Sequence, residues 1–300
     1  MQRPKLPESE GFGLSPEIWG NFPYESIFSK ADRNIGYGFF DDFTDFGGAL
    51  STNDGQYWSE GNRYLSYQTA STFIVPVADS SAATTTAAIH HGAIKFSPTS
   101  GVADNDIMTL QLGGQLATPY GAFPYNVCPS VLLSRDLAFE CRMKLSDSSA
   151  SIGDFFIGLA GAAGVQLMTA VLPIADADTL GTTFSMLGFS KLGADADLAY
   201  LTYERASGTV ARTRQAATLV DDTYIKLGFR WYAADKQLRV YADNTEVSAC
   251  FLTSAVTGTA GTGTTPWPND YMTPICCCKQ IDGTTAQVLT LDWWACSQLL

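Results

Sequence analysis

The stretch LAFECRMKL, residues Leu137–Leu145, decides how the chain is read. From Phe139 onward the odd positions (Phe139, Cys141, Met143, Leu145) are apolar and the even ones (Glu140, Arg142, Lys144) are charged. Successive side chains of a strand point to opposite faces, so this period of two marks a β-strand with one face on a core and one face wet. The alternation returns in Leu238-Arg239-Val240-Tyr241-Ala242-Asp243. Ala234-Asp235-Lys236 and Asp243-Asn244-Thr245 separate strand candidates and suit short hairpin turns.

Working outward, short runs of β-branched and aromatic residues predict further strands at 37–43, 66–77, 88–96, 107–112, 154–159, 183–189, 198–203, 210–215, 224–232, 237–242, 246–251, 273–278 and 288–297. No long helical pattern exists. The best candidate, 158–169, is interrupted by Gly161 and Gly164 and reads as strand and loop. The Ser/Thr/Ala tract 79–88 and the Thr/Ala/Gly tract 254–265 read as solvent loops. Many short strands with frequent turns predict an all-β sandwich or jelly roll. No linker divides residues 35–300, so they are expected to form one domain.

Residues 1–34 differ. Pro4, Pro7, Pro16 and Pro23 break the segment, and no period survives. Yet it carries Phe12, Leu14, Ile18, Trp19, Phe22, Tyr24, Ile27 and Phe28, where a disordered tail should lack aromatics. It is expected to lie extended on a surface, either the protein's own body or a partner chain. A helical turn is expected at Ser15–Trp19, with Ser15 as N-cap, Pro16 first in the helix and Glu17 favouring the dipole.

Composition narrows the function classes. The 18 basic and 30 acidic residues give a net charge of −12, which argues against nucleic acid and anionic membranes as partners. Charged residues make up only 16%, against roughly 25% in an average chain, so the skin is expected to be rich in Ser, Thr, Asn, Gly and Ala. The first ten residues have no apolar core of a secretory signal, and no run of 18 apolar residues occurs. The expectation is a soluble protein made in a reducing cytoplasm. Seven cysteines, three of them consecutive at Cys276, Cys277 and Cys278, suit neither a disulfide framework nor zinc, and read as apolar strand residues.

The candidate chemistry is thin. His90 and His91 are the only histidines, they are adjacent, and no nucleophile motif accompanies them. A sugar-cleaving carboxylate pair finds little support, because four of the eight glutamates fall in residues 1–34 and no ExDxxE occurs. The clusters Asp104-Asn105-Asp106, Asp176-Ala177-Asp178 and Asp195-Ala196-Asp197 are ordinary turn chemistry or the seed of a single structural Ca²⁺ site. Tyr57, Trp58 and Tyr64, near Gly55 and Gly61, are candidates for stacking on sugar rings.

The order of LAFECRMKLSD, DFFIGLAG, DTYIKLGFRWYAADKQLRVYADNTEV and LTLDWWACSQ, with GFFDDF early in the chain, resembles the concanavalin A-like jelly rolls in virion proteins of tailed bacteriophages. The resemblance covers 35–300 and is strongest over 131–300. It implies that residues 38–43 lie beside 289–297. It also implies a virion structural protein, not an enzyme, made in the host cytoplasm and displayed on the capsid surface as a decoration (cement) protein. Its partners would be the major capsid protein and copies of itself, as a dimer or trimer. Phe12, Leu14, Trp19, Phe22, Tyr24 and Phe28 of the arm would make the capsid contacts. The alternative is a head- or tail-fibre adhesin whose lectin-like module binds host glycans. A sandwich-fold glycoside hydrolase is third.

Overall fold

A computed structural model describes residues 13–20, 36–43, 56–58, 64–68, 77–78, 93–96, 107–112, 133–149, 153–161, 180, 185–206, 208–253, 267–268, 272–281 and 287–299. Their strands are β1 (Gly36–Asp41), β2 (Gln56–Trp58), β3 (Tyr64–Gln68), β4 (Val77–Ala78), β5 (Ile94–Phe96), β6 (Ile107–Leu112), β7 (Leu137–Leu145) and β8 (Gly153–Gly161). They continue with β9 (Ser185–Lys191), β10 (Leu198–Glu204), β11 (Ala211–Thr218), β12 (Ile225–Tyr232), β13 (Gln237–Ala242), β14 (Thr245–Glu246), β15 (Thr273–Gln280) and β16 (Leu289–Leu299). One short helix, α1 (Pro16–Trp19), precedes them.

The strands form two eight-stranded sheets. Sheet A runs β14-β13-β12-β7-β16-β5-β4, with β1 also on β16; sheet C runs β11-β10-β9-β8-β15-β6-β3-β2. Every pairing among the described strands is antiparallel. The chain passes back and forth between the sheets, β7 to β8 and β15 to β16 at the centre, so this is an all-β two-sheet sandwich with jelly-roll-like connectivity. The expected closure of the first strand on the last is present: Gly36 pairs with Leu299 and Asp41 with Trp294.

The alternation expected in β7 places Phe139, Cys141, Met143 and Leu145 in the core between the sheets. Opposite them stand Ile157 and Leu159 of β8, Phe189 of β9, Leu201 of β10, and Cys276 and Cys278 of β15. Phe229 of β12 joins the layers, with ring centroids 5.3 Å from Phe139 and 6.2 Å from Phe189. The cysteine triplet behaves as strand residues must: Cys276 and Cys278 face this core while Cys277 lies in a second apolar cluster with Ile107, Phe156 and Met186. All six described cysteines are buried.

One irregularity in β16 shapes the rest. Leu291 pairs with Met143, but Trp293 already pairs with Arg142, so Asp292 is an extra residue in the ladder. Before the bulge Leu289 and Leu291 face the core; after it the core positions become Trp294 and Cys296, and Trp293 and Ala295 turn to the outside of sheet A. Asp292 is taken up by the Arg142 guanidinium, which lies 4.0 Å over the Tyr224 ring.

Some expectations need correction. The run 246–251 is not a strand: it holds only the second residue of β14, Glu246, and a 3-10 turn, Ser248–Cys250, whose Cys250 thiol donates to the Gln215 carbonyl at 3.2 Å. The three-residue β2 was not foreseen. The outer face of β7 is not wet throughout, since Ala138 and Glu140 are buried. The candidates at 90–91, 104–106 and 176–178 lie outside the described residues.

Truncation of the ring that joins the two layers should be severe. Phe229→Ala is expected to cost about 3–5 kcal/mol, measurable by urea denaturation. A cost under about 1 kcal/mol would contradict this packing.

Candidate functional sites on the two outer faces

The outer face of sheet A holds a built recess, and residues 13–20 fill it. Ser15 is the N-cap of α1 with Pro16 at the first helical position, as the sequence suggested. Its hydroxyl, however, does not cap the helix. It donates to Glu140 Oε1 and lies beside the Asn244 amide oxygen. The Ser15 backbone N–H donates to Glu140 Oε2 at 3.0 Å, and the Trp19 indole N–H donates to the same oxygen at 2.7 Å. Glu140 is therefore a buried carboxylate whose donors come from the arm. Burial holds its carboxyl above the ordinary range, against the opposing pull of Ser15, Trp19 and Lys226.

Cations of β12 secure the arm's backbone. Arg230 donates to the Ile18 carbonyl at 3.0 Å, and Lys226 reaches the Gly13 carbonyl at 3.3 Å and Asn244 Oδ1 at 2.6 Å. Between them lies Gly228. A Cβ there would stand 2.4 Å from Ile18 Cδ1 and 2.9 Å from the Phe139 carbonyl oxygen, so the missing side chain makes the slot that Ile18 occupies. Ile18 and Trp19 complete an apolar cluster with Ala138, Tyr241, Trp293 and Ala295, and Leu14 packs at its margin. Full burial of two such side chains contributes roughly 1.5–3 kcal/mol each.

Leu14 and Trp19, expected as partner contacts, thus find their partner in the chain's own sheet, with Trp19 only 1% exposed. The other arm candidates, Phe12, Phe22, Tyr24 and Phe28, lie outside the described residues.

The outer face of sheet C carries the polar groups. Arg212 of β11 is bidentate to Asp195, with one contact at 3.1 Å, and its Nε donates to Ser190 Oγ at 2.7 Å. Ser190 shares a 2.7 Å hydroxyl contact with Thr202, and the Arg212 guanidinium lies 4.5 Å over the Tyr200 ring. Asp195, one of the Asp-x-Asp candidates, sits in a 3-10 turn (Gly193–Asp195) and also accepts the Leu192 N–H. Its carboxylate serves this ion pair. No group of three or more metal-ligating side chains occurs among the described residues.

The register divides the three candidate stacking aromatics. Tyr64 stands opposite Leu112, and Tyr57 stands opposite Ser66, itself opposite Leu110; both are in register with core positions. Trp58 stands opposite Leu65, itself opposite Gln111.

Glu204, at the end of β10, adjoins Arg205 and reads in the sequence as an ordinary residue before a turn. It is buried, stands opposite Met186, and neither carboxyl oxygen has a hydrogen-bond partner among the described residues. Burial pushes its carboxyl up to about 8. At the sandwich's end, buried Lys191 of β9 donates to the carbonyls of Ser149 and Gly153, each at 3.1 Å. Burial lowers its pKa, opposed by Asp154 and Asp147.

No family model matches the sequence, and no curated protein matches it. Several solved structures are similar in layout. A protein of unknown function from Shewanella oneidensis MR-1 is 12% identical over 89% of this chain and 88% of its own, with a TM-score of 0.48. Peanut lectin with a 9mer peptide is 10% identical over 88% and 98%, with a TM-score of 0.48. A carbohydrate esterase from the Shiga toxin-encoding bacteriophage phi24B is 13% identical over 79% and 90%, with a TM-score of 0.41. At such distances the likeness concerns strand layout, and function must be argued from this chain's own residues.

Glu204 gives a pH signature. Between the ordinary value of 4.5 and the folded value of about 8, the native chain holds a proton that the unfolded chain has released. Stability should therefore fall as pH rises through that window and level off above it. Glu204→Gln is expected to flatten this slope in urea midpoints taken from about pH 5 to about pH 9. An unchanged slope would show that Glu204 is ionised or solvated in the native state.

Proposed function

We propose that this chain is a non-catalytic, lectin-type recognition module that binds glycans on the outer face of sheet C, at the β9–β11 edge. The observation that carries the reading is the Tyr200–Arg212–Asp195–Ser190 corner. A sugar presents hydroxyls that take paired hydrogen bonds from planar polar side chains, and a C–H face that stacks on a ring. Here a half-buried ring and a bidentate guanidinium–carboxylate pair stand on three adjacent strands and a tight turn, each side chain fixed by another. Groups locked in this way lose little freedom on binding.

The competing reading is a capsid decoration protein held to its lattice by the arm. For the described part of the arm, the apolar groups assigned to the lattice are engaged by the chain's own sheet, which favours the lectin reading. A glycosidase needs two carboxylates at a fixed separation. Of the two described glutamates whose carboxyls burial raises, Glu140 is taken up by the arm and Glu204 has a methionine as its cross-strand neighbour.

A glycan array probed with the intact protein tests the proposal. Tyr200→Ala and Arg212→Ala should each weaken the best ligand by about tenfold or more, and Arg239→Ala, on the other sheet, should leave it unchanged. Binding that survives both substitutions places the sugar elsewhere. Absence of any glycan ligand, with the protein found in many copies in purified virions, favours the decoration reading.

A further inference from the structure

We propose that the recess on sheet A is a self-recognition site, able to take the Ser15–Trp19 segment of a second copy of this chain in place of its own. The recess is specific. It offers a slot for Ile18 at Gly228, a carboxylate at Glu140 for the Ser15 N–H, Ser15 hydroxyl and Trp19 indole, and a guanidinium at Arg230 for the Ile18 carbonyl. All of these contacts come from a segment of eight described residues, Gly13–Gly20, that pairs with no strand. An occupant so self-contained carries its whole recognition chemistry with it.

The connection to the sandwich leaves room for exchange. The chain resumes at Gly36, which pairs with Leu299, while Glu140 at the centre of the recess pairs with Ala295. Four residues along β16 and two strand spacings across the sheet separate these points by roughly 16 Å. The fifteen residues from 21 to 35 can span roughly 50 Å when extended. A direct return in cis uses less than half of that reach, and the remainder extends to a neighbouring copy. Exchange of an identical element between protomers needs no new contact chemistry, because the same bonds form in cis and in trans.

Tethering sets when each arrangement prevails. A covalent tether of fifteen residues holds a copy's own segment at an effective concentration on the order of millimolar, so the isolated chain in dilute solution closes on itself. Where copies are held side by side, as in an array on a surface, the neighbouring segment competes at a similar concentration and the copies become linked. The site accounts for self-association without a glycan and does not rest on the lectin reading.

Two full-length variants separate slot from segment. Ile18→Ser/Trp19→Ala keeps the slot and loses the segment; Glu140→Ser keeps the segment and weakens the slot. Sedimentation of the mixture should give a one-to-one pair, while each variant alone stays monomeric. The mixed pair should associate at least about tenfold more tightly than either variant with itself. If a variant fails to fold, a synthetic peptide of residues 13–20 serves instead. Offered to Trp19→Ala chain, it should bind, and the same peptide with its tryptophan replaced by alanine should not. Folded variants that neither pair nor take up the peptide would overturn the proposal and leave the recess a closed intramolecular seat.

Discussion

A carboxylate leaves water only when donors replace the water it loses. Glu140 meets that condition through Ser15 and Trp19, residues more than a hundred positions upstream of it. This one constraint ties the arm to the sandwich. It explains why α1 forms where it does, since the Ser15 backbone and hydroxyl are both drawn to the carboxylate. It also explains why Arg230 and Lys226 point at carbonyls: they satisfy the acceptors that the docked turn leaves open. Take the donors away and Glu140 returns to water, along with the apolar surface of Trp293 and Tyr241.

The platform itself depends on the bulge at Asp292. A strand of strict period two would send Trp293 and Ala295 into the core and Trp294 and Cys296 outward. The extra residue reverses both pairs within one strand. Leu289 and Leu291 thus fill the core at one end of β16 and Trp294 fills it at the other, while Trp293 is released to form the floor under Trp19. The same strand carries β5, β7 and β1, so the device that shapes the recess lies at the middle of sheet A.

Much of the sandwich was legible because alternation is a local property. The bounds of β6, β7 and β13 agree with the sequence reading, and the pairing of the first strand with the last followed from the resemblance. The misreadings have physical causes. A bulge adds a residue without a distinctive type, and Asp292 between apolar neighbours reads as one more polar strand position. Glu140 reads as a wet outer-face charge because nothing near it in sequence announces a distant donor. Val247, Ala249 and Phe251 keep a period of two, yet the chain turns there so that Cys250 can meet β11. The polar corner at Arg212 was missed for a similar reason: its members come from β9, β10, β11 and a turn, and only the register brings them together.

The central claim is that the arm segment is seated on sheet A through Glu140. Amide hydrogen exchange across Ser15–Gly20 tests it most directly, because the N–H groups of Ile18, Trp19 and Gly20 are hydrogen-bonded within the docked turn and a four-residue helix has no stability of its own. The account predicts slow exchange at these amides in the intact chain and fast exchange in Glu140→Ala, with the amides of β7, β12 and β16 unchanged in both. Fast exchange in the intact chain, or protection that survives in the variant, would contradict it.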